Sequence, residues 1–386
     1  MKRIITLLFL AVGLTAAAQN AKPLQNSAKY EHFKELRNEA DTLGMKQMLD
    51  DWGAKDPEYY AAWSNYCSVM ADATVDADWL PLAVNWIKMG REEYPDDTLL
   101  LLKSPQVLID NNQREEALPF LLEIEEKGLD DTSNRVYLAE YYLLKNDMDN
   151  ARKYFTKVLQ SGDDDEQELA RQALEVIERG EHERDSLQLH LDHAAIRELA
   201  QTDDFQKLVS RFEVCDSTLT REEIASVYYG VAYGKDYNSV SSTSDDIRNL
   251  AAEGKEQEAT EALQAKLKEY PASLFLILSL FNLTEDEAVA EACAWKANAL
   301  LATIDYSGNG TPESPLQVIC VNDEYCVLDH IFEMMEFRGQ ALVTKEPLPL
   351  GPLDQMTFLN EYGVERVVYF ALTPPYWDRH LVPVEE

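Results

Sequence analysis

The sequence predicts an α+β protein in which an all-α helical repeat array precedes a domain of helices and a small, mostly antiparallel C-terminal sheet. Up to about residue 305, apolar residues recur at spacings of three and four, the period of amphipathic helices. After residue 310 the pattern changes to short runs of β-branched and apolar residues, which are typical of strands. This change of period indicates that a sheet follows the helices.

Charge and composition limit the partners that the protein is expected to bind. The 386 residues include 35 Lys plus Arg and 70 Asp plus Glu, a formal net charge of −35. Such an acidic chain repels phosphate backbones and anionic bilayers, so we expect no nucleic-acid partner. Hydrophobic residues make up 46% of the chain, which supports packed cores and excludes wholesale disorder.

The first 18 residues have the pattern of a bacterial signal peptide. Two basic residues at positions 2 and 3 precede a mostly apolar stretch over residues 4–14, and three alanines end the segment. We predict cleavage between Ala18 and Gln19. The apolar stretch is shorter than the roughly 20 residues that a bilayer requires. Export to the periplasm or the cell exterior is therefore expected, with no membrane insertion after cleavage.

Residues 19–45 are predicted to form a polar tail and a first helix near residues 30–42, and residues 46–180 to form helical pairs. Their first helices are predicted at 57–71, 98–112 and 132–145, their second helices at 79–94, 114–127 and 149–160, and a capping helix at 166–178. Pro105 falls inside one first helix, where a kink or break is expected. The charged segment from Gly180 to Asp185 is interpreted as a domain joint.

An internal repeat supports this division. Ala83, Ala117 and Ala151 are spaced 34 residues apart, and a large apolar residue follows each one four positions later. A small residue early in the second helix lets it approach the first, while the larger one fills the groove between units. The pattern resembles a degenerate tetratricopeptide (TPR) array. Stacked helix pairs of this kind leave a concave surface, made by their first helices, that binds extended peptides or helices.

Residues 190–375 are predicted to form a second domain of helices and strands, followed by a tail at 376–386. A helix is expected at 193–208, Thr220 and Glu223 form a capping box, and residues 245–305 are again helical. Glu269-Tyr270-Pro271 repeats the earlier Glu93-Tyr94-Pro95. The remaining predictions are strands at 316–321, 337–343, 354–359 and 365–372, and a helix at 323–335.

Several short motifs in this half occur in an order that resembles a family of secreted bacterial domains of unknown function. They are Asp216-Ser217-Thr218-Leu219-Thr220, Tyr228-Tyr229-Gly230-Val231-Ala232-Tyr233, Ser307-Gly308-Asn309-Gly310, Asp323-Glu324-Tyr325, Gly339-Gln340, Asp354 and Tyr369-Phe370. The resemblance implies export and a domain boundary near residue 190. It implies no activity.

No common catalytic signature is present, so we assign no catalytic residue, no metal site and no cofactor. The histidine cluster at 190–193 is interpreted as a polar helix start, and the acidic run at 162–168 as a helix N-terminus favoured by the macrodipole. Five scattered cysteines do not form a disulfide framework. Whether Cys320 and Cys326 pair is left open.

The leading hypothesis is a secreted, non-catalytic scaffold that binds a protein or peptide on the concave surface of the repeats. The residues predicted to face that surface are Gln106, Asp110, Ser133, Tyr137 and Glu140. The carboxylates among them predict a basic or neutral partner. The alternative is a glycan-binding or hydrolytic site in the second domain, around Tyr228, Tyr229, Asn309 and His330. A purely structural component that self-associates through its repeats is a third possibility.

Overall fold

A computed structural model describes residues 26–234, 237, 247, 249–250, 252–344 and 350–372. The predicted signal peptide and its cleavage site, residues 19–25, most of the Ser-rich loop after residue 238 and the tail at 376–386 lie outside the described residues. The chain divides into two compact units. The first comprises residues 26–181 with 361–365, and the second comprises the other described residues.

The first unit consists of helices. Their bounds are α1 (Ala28–Asn38), α2 (Thr42–Asp50), α3 (Pro57–Thr74), α4 (Trp79–Glu93), α5 (Thr98–Asp110), α6 (Arg114–Glu126), α7 (Thr132–Leu144), α8 (Met148–Ser161) and α9 (Asp164–Leu187), which continues into the second unit. Helix α3 packs on α4, α5 on α6, and α7 on α8. These three hairpins are the predicted helical pairs.

Each first helix of a hairpin begins at an aspartate. The carboxylates of Asp56, Asp97 and Asp131 accept hydrogen bonds from the backbone N–H three residues later. Such a cap supplies a partner for an otherwise unpaired N–H and is worth about 1 kcal/mol. Asp97 and Asp131 are also 34 residues apart, so the cap repeats with the helices.

The alanines of the 34-residue repeat lie where the helices approach each other. Ala83, Ala117 and Ala151 are buried in the hydrophobic core, and so are the large residues four positions later, Ile87, Leu121 and Phe155. In the first hairpin Gly90 has the same role, since a Cβ at that position would lie 2.7 Å from the Tyr60 Cβ. The predicted small-residue packing is therefore confirmed.

Three expectations for this unit differ from the structure in detail. The helix predicted at 30–42 ends at Asn38, because Ala40 adopts a left-handed φ of 55° and Asp41 caps the next helix, α2. Pro105 does not break α5, since it is buried within a continuous helix. The boundary between the two units falls between Glu181 and His182, inside the segment predicted as a joint, but α9 runs through it to Leu187.

The second unit combines helices with a four-stranded sheet. Its elements are α10 (His193–Leu199), α11 (Asp203–Glu213), α12 (Arg221–Val231), α13 (Glu256–Glu269), α14 (Leu274–Leu283), α15 (Glu287–Asp305), β1 (Leu316–Val318), α16 (Val321–His330), β2 (Met334–Val343), β3 (Leu353–Asn360) and β4 (Glu365–Leu372). The predicted α+β class is confirmed. Within the described part of the chain, no helix has both the length and the apolar character needed to cross a bilayer.

The sheet is mixed. Its strand order is β1-β4-β3-β2, with β2 antiparallel to β3 and β1 parallel to β4. Strand β1 is shorter than predicted because Cys320 already lies at the N-cap of α16. The helix predicted to reach residue 335 ends at His330, and Glu333 turns the chain into β2 with a φ of 52°.

Local signals in the second unit were more accurate. The capping box of Thr220 and Glu223 is present at the start of α12. Tyr94 and Tyr270, each followed by proline, end α4 and α13. Both have a φ of −129°, and their ψ angles are 70° and 68°, respectively. A residue before proline is disfavoured in the helical region, which explains the shared stop. The helix predicted at 193–208 is interrupted, since Thr202 caps a new helix, α11.

All five cysteines are free. Burial raises the pKa of the Cys67 thiol to about 11, and it also raises the pKa of Cys293, Cys320 and Cys326. The thiols of Cys320 and Cys326 are thus not joined in a disulfide.

Two helical glycines provide a matched test of the packing. A Cβ at Gly230 in α12 would clash with the Phe205 ring, whereas a Cβ at Gly180 in α9 would meet nothing within 4 Å. We expect Gly230→Ala to reduce the free energy of unfolding by about 1–3 kcal/mol. Gly180→Ala should raise it by up to ~1 kcal/mol, because alanine favours the helix. Urea unfolding measures both, and equal effects of the same sign would contradict the described packing.

Candidate functional site

The predicted binding residues lie on two neighbouring first helices of the first unit. Gln106 and Asp110 are on α5, and Ser133, Tyr137 and Glu140 are on α7. Spacings of three, four and seven put each set on one side of its helix. Gln106 and Asp110 are exposed, Ser133 and Tyr137 are half-buried, and Glu140 is buried.

We call the surface that carries them the first-helix face. It also includes Lys34 and Arg37 of α1, Asp72 of α3 and Lys103 of α5, which interact electrostatically with residues of the neighbouring helices. Between α1 and α3, the Asn65 side-chain amide donates to the Tyr30 hydroxyl at 3.2 Å. Helices α1, α3, α5 and α7 therefore contribute to one polar surface.

Carboxyl groups gather at one end of this face. Asp72 and Asp110 lie in the last turns of α3 and α5, and Glu140 lies one turn before the end of α7. A negative charge near a helix C-terminus is unfavourable, because that end of the macrodipole is already negative. Asp110 keeps contact with solvent, but partial desolvation of its carboxyl group by the neighbouring helices, with repulsion from Asp72, raises its pKa to about 6. We call Asp72, Asp110 and Glu140 the acidic cluster.

Glu140 is the most unusual member of the acidic cluster. Its exposed fraction is 7%, and its Oε1 atom has no hydrogen-bond partner among the described residues. Burial raises the pKa of Glu140 to about 7 despite attraction to Arg114. A buried polar atom without a partner costs about 1–3 kcal/mol. The fold therefore keeps a costly acceptor beside a surface that solvent reaches.

Tyr137 and Arg114 complete this end of the face. Burial, together with the nearby charges of Asp110 and Glu140, raises the pKa of Tyr137 to about 12. The Arg114 guanidinium donates to the Asn112 Oδ1 at 3.0 Å and attracts both Glu140 and Asp110. One guanidinium does not balance three carboxyl groups, so the acidic cluster favours an additional cation.

Sequence analysis missed Lys103 and Arg114. Lys103 lies three residues before Gln106 and seven before Asp110, a spacing that already places it on the same face. Arg114 belongs to a second helix, and no spacing in the sequence associates it with Glu140. Only the packing of α6 against its neighbours brings the Arg114 guanidinium close to the acidic cluster.

The alternative site proposed for the second unit is not assembled. Tyr228 and Tyr229 are fully buried, and their hydroxyls donate to the Asp323 Oδ2 at 2.7 Å and to the Gln317 carbonyl at 3.0 Å. They belong to the core, so neither can line the alternative site. Asn309 is exposed in a turn, and His330 is exposed at the end of α16, where its Nδ1 lies 2.9 Å from the Cys326 carbonyl.

A pair of carboxyl groups lies inside this unit instead. Glu324 of α16 is fully buried, and its carboxyl group lies against that of Asp354 on β3. Burial, with the added charge of Asp354, raises the pKa of Glu324 well above its usual range. Both Glu324 oxygens lack a hydrogen-bond partner within the described residues. A proton on the pair would remove most of the repulsion and supply a hydrogen-bond donor. We call Glu324 and Asp354 the carboxyl pair.

The second unit also has a shallow, largely polar cleft of about 430 Å³. Residues that line it include His190, Asp192, Ser307, Glu313 and Gln317. Asp192 caps α10 by accepting from the backbone N–H groups of residues 194 and 195. His193 packs against Tyr229 and lies 2.7 Å from the Gln317 Oε1, as expected for a structural histidine. No group of three or more potential ligands that could hold a metal ion occurs among the described residues.

Comparison with known proteins assigns only the second half of the chain. Residues 191–376 match a family described as "Domain of unknown function (DUF4919)". No TPR family matches the helical first half. No curated protein matches the chain.

Removing the Glu140 charge is expected to change the pH dependence of stability. The pKa of this buried carboxyl rises from 4.5 to about 7 on folding, so its contribution to stability is complete below pH 4.5 and is lost as the pH rises through 7. The loss is on the order of 3 kcal/mol. Glu140→Gln should therefore be more stable than the wild type at about pH 8 and show a flatter slope from about pH 5.

Urea unfolding at several pH values measures this effect. Glu126→Gln is the control, since it removes the same charge from an exposed position at the end of α6. Equal pH slopes for wild type and Glu140→Gln would show that Glu140 is not desolvated in the folded protein.

The carboxyl pair predicts a second pH effect, on the second unit. Folding raises the pKa of Glu324, so its stabilising contribution is present in acid and is lost as the pH rises through the folded-state value. Glu324→Gln retains an N–H donor for Asp354 but does not titrate, so it should resist alkaline unfolding better than the wild type. Circular dichroism during a pH titration measures this, with exposed Glu285→Gln as the control. An unchanged alkaline midpoint would exclude a shared proton.

Proposed function

We propose that the protein is an exported, non-catalytic scaffold whose first unit binds a protein or peptide segment along the first-helix face, as a TPR-like array does. The observation that carries the proposal is Glu140, a nearly buried carboxyl group with an unpartnered oxygen inside the acidic cluster. A cationic group on a partner would supply the missing hydrogen bond and offset the repulsion between Asp72 and Asp110.

The expected ligand group is a lysine or arginine side chain, or a chain amine. Three carboxyl groups and the Tyr137 hydroxyl provide acceptors for a guanidinium or ammonium donor. The unmatched negative charge also accelerates encounter with basic segments, an effect that salt weakens. The shape of a helical-repeat surface suits a segment in an extended or helical conformation.

The hypothesis of a glycan-binding or hydrolytic site has less support. Its two tyrosines are core residues, and its remaining members, Asn309 and His330, are on separate surface segments. The cleft beside Ser307 and Gln317 would have to supply the site without them.

A peptide array incubated with the full mature chain tests the proposal. We expect peptides with lysine or arginine to bind, and Asp110→Asn combined with Glu140→Gln to weaken them at least about tenfold, because charge-assisted hydrogen bonds are lost. The matched control is Glu116→Gln with Glu126→Gln, which removes two exposed charges from α6. Basic peptides that bind the Asp110/Glu140 variant as tightly as the wild type would refute the proposal, as would the absence of any bound peptide.

A further inference from the structure

The short segment that follows β3, residues 361–365, belongs to the first unit, whereas the residues on both sides of it belong to the second. It packs on helices α6 and α7, which also contact each other. The Val364 side chain is completely buried in an apolar cluster with Tyr141 and Leu144 of α7. The segment is therefore an integral part of the first unit, although it is distant from the rest of it in sequence.

Hydrogen bonds from α6 and the residues before it hold the backbone of the segment. The side chains of Asn112 and Arg114 donate to its first two carbonyl groups, at 3.1 and 3.0 Å. At its other end, the Glu115 carboxylate accepts from the backbone N–H of Glu365. In peptide recognition, such backbone contacts give affinity and side-chain pockets give specificity. We use the name docking groove for the residues that contact the segment, Asn112, Arg114, Glu115, Tyr141 and Leu144.

Two positions of the segment are selected by side-chain size. Gly363 has a left-handed φ of 66°, and a Cβ at this position would collide with the Asn112 carbonyl oxygen, so only glycine fits. Val364 follows and fills the apolar part of the docking groove. A segment that binds in the same way therefore needs a glycine followed by a branched apolar residue.

The charges around Glu115 do not favour the segment that is present. Among the described residues, the Glu115 carboxylate accepts only from neutral donors, the Tyr141 hydroxyl at 3.0 Å and the Glu365 N–H. Lys145 donates to the Tyr141 hydroxyl, at 3.1 Å, and not to Glu115. Burial raises the pKa of Tyr141 above its usual range, and the charges of Glu115 and Glu365 raise it further. Since like charges repel, a lysine or arginine at the position of Glu365 would complement Glu115 better.

We infer that the docking groove receives a segment of a partner protein that displaces residues 361–365. The partner segment is a turn in which a glycine, a branched apolar residue and a basic residue follow one another. Exchange requires few contacts to break, because the resident segment has five residues and Val364 is its one fully buried side chain. The inference goes beyond the proposed function, since no residue of the docking groove belongs to the acidic cluster.

A fluorescent peptide of residues 358–368, closed by a disulfide between added terminal cysteines, tests this inference by anisotropy with the full mature chain. We expect the peptide with Glu365→Lys, the lysine peptide, to bind at least about tenfold more tightly than the unmodified peptide. Adding Gly363→Ala to the lysine peptide should weaken its binding at least about tenfold, because the charge is kept and the fit is lost.

Displacement also predicts that loosening the resident segment strengthens binding. In the chain, Val364→Ala removes apolar contacts of the segment, so the docking groove is unoccupied in a larger fraction of molecules and the lysine peptide should bind about tenfold more tightly. Val367→Ala, at an exposed position of β4, is the matched control. Glu115→Gln should remove the preference for lysine, whereas exposed Glu116→Gln should not. Circular dichroism verifies that each variant folds.

Three outcomes would overturn the inference. Equal binding of the lysine peptide and its Gly363→Ala form would mean that charge alone attracts the peptide. Unchanged or weaker binding to the Val364→Ala chain would mean that residues 361–365 are a fixed part of the fold. The same conclusion follows if no peptide binds this variant. None of these results bears on the proposed function, which the variants at Asp110 and Glu140 test separately.

Discussion

The contact on which the first unit depends is the close approach of two helices over a small side chain. Ala83, Ala117 and Ala151 each lie in the core of a hairpin, and any larger side chain there would push the second helix away from the first. Because the contact recurs every 34 residues, the first helices of successive hairpins present equivalent faces. The first-helix face is thus a consequence of core packing.

Both units bury carboxyl groups, and they compensate the cost in different ways. In the first unit, Glu140 has Arg114 nearby but retains an oxygen with no partner in the described part of the chain. In the second unit, Glu324 lies against another carboxyl group, so a shared proton replaces a counter-charge. Both Glu324 oxygens also lack a hydrogen-bond partner within the described residues, but that carboxyl group is fully buried in a core, whereas Glu140 borders a surface that solvent reaches. This difference is why we place the binding function in the first unit and regard the carboxyl pair as structural.

Repeat spacing, caps and prolines predicted most helices because these signals are local. The 34-residue alanine repeat located three hairpins, and the capping box at Thr220 located the start of α12. The differences concern features that tertiary contacts decide. Helix α9 continues through Gly180 although glycine costs a helix up to ~1 kcal/mol. The ion pair of Arg184 with Asp305, at 2.8 Å, lies in this extension. Asp110 and Glu140 were proposed from spacing alone, whereas the attraction of Arg114 to both depends on helix packing that the sequence does not reveal.

The buried cysteines have a consequence for how the protein can fold. Reaction with oxidants and with disulfides requires a thiolate, and burial keeps Cys67, Cys293, Cys320 and Cys326 protonated at neutral pH. None of these sulfur atoms is joined to another, so no covalent step completes the structure. The described fold therefore contains no disulfide, and forming it requires neither an oxidase nor a disulfide isomerase.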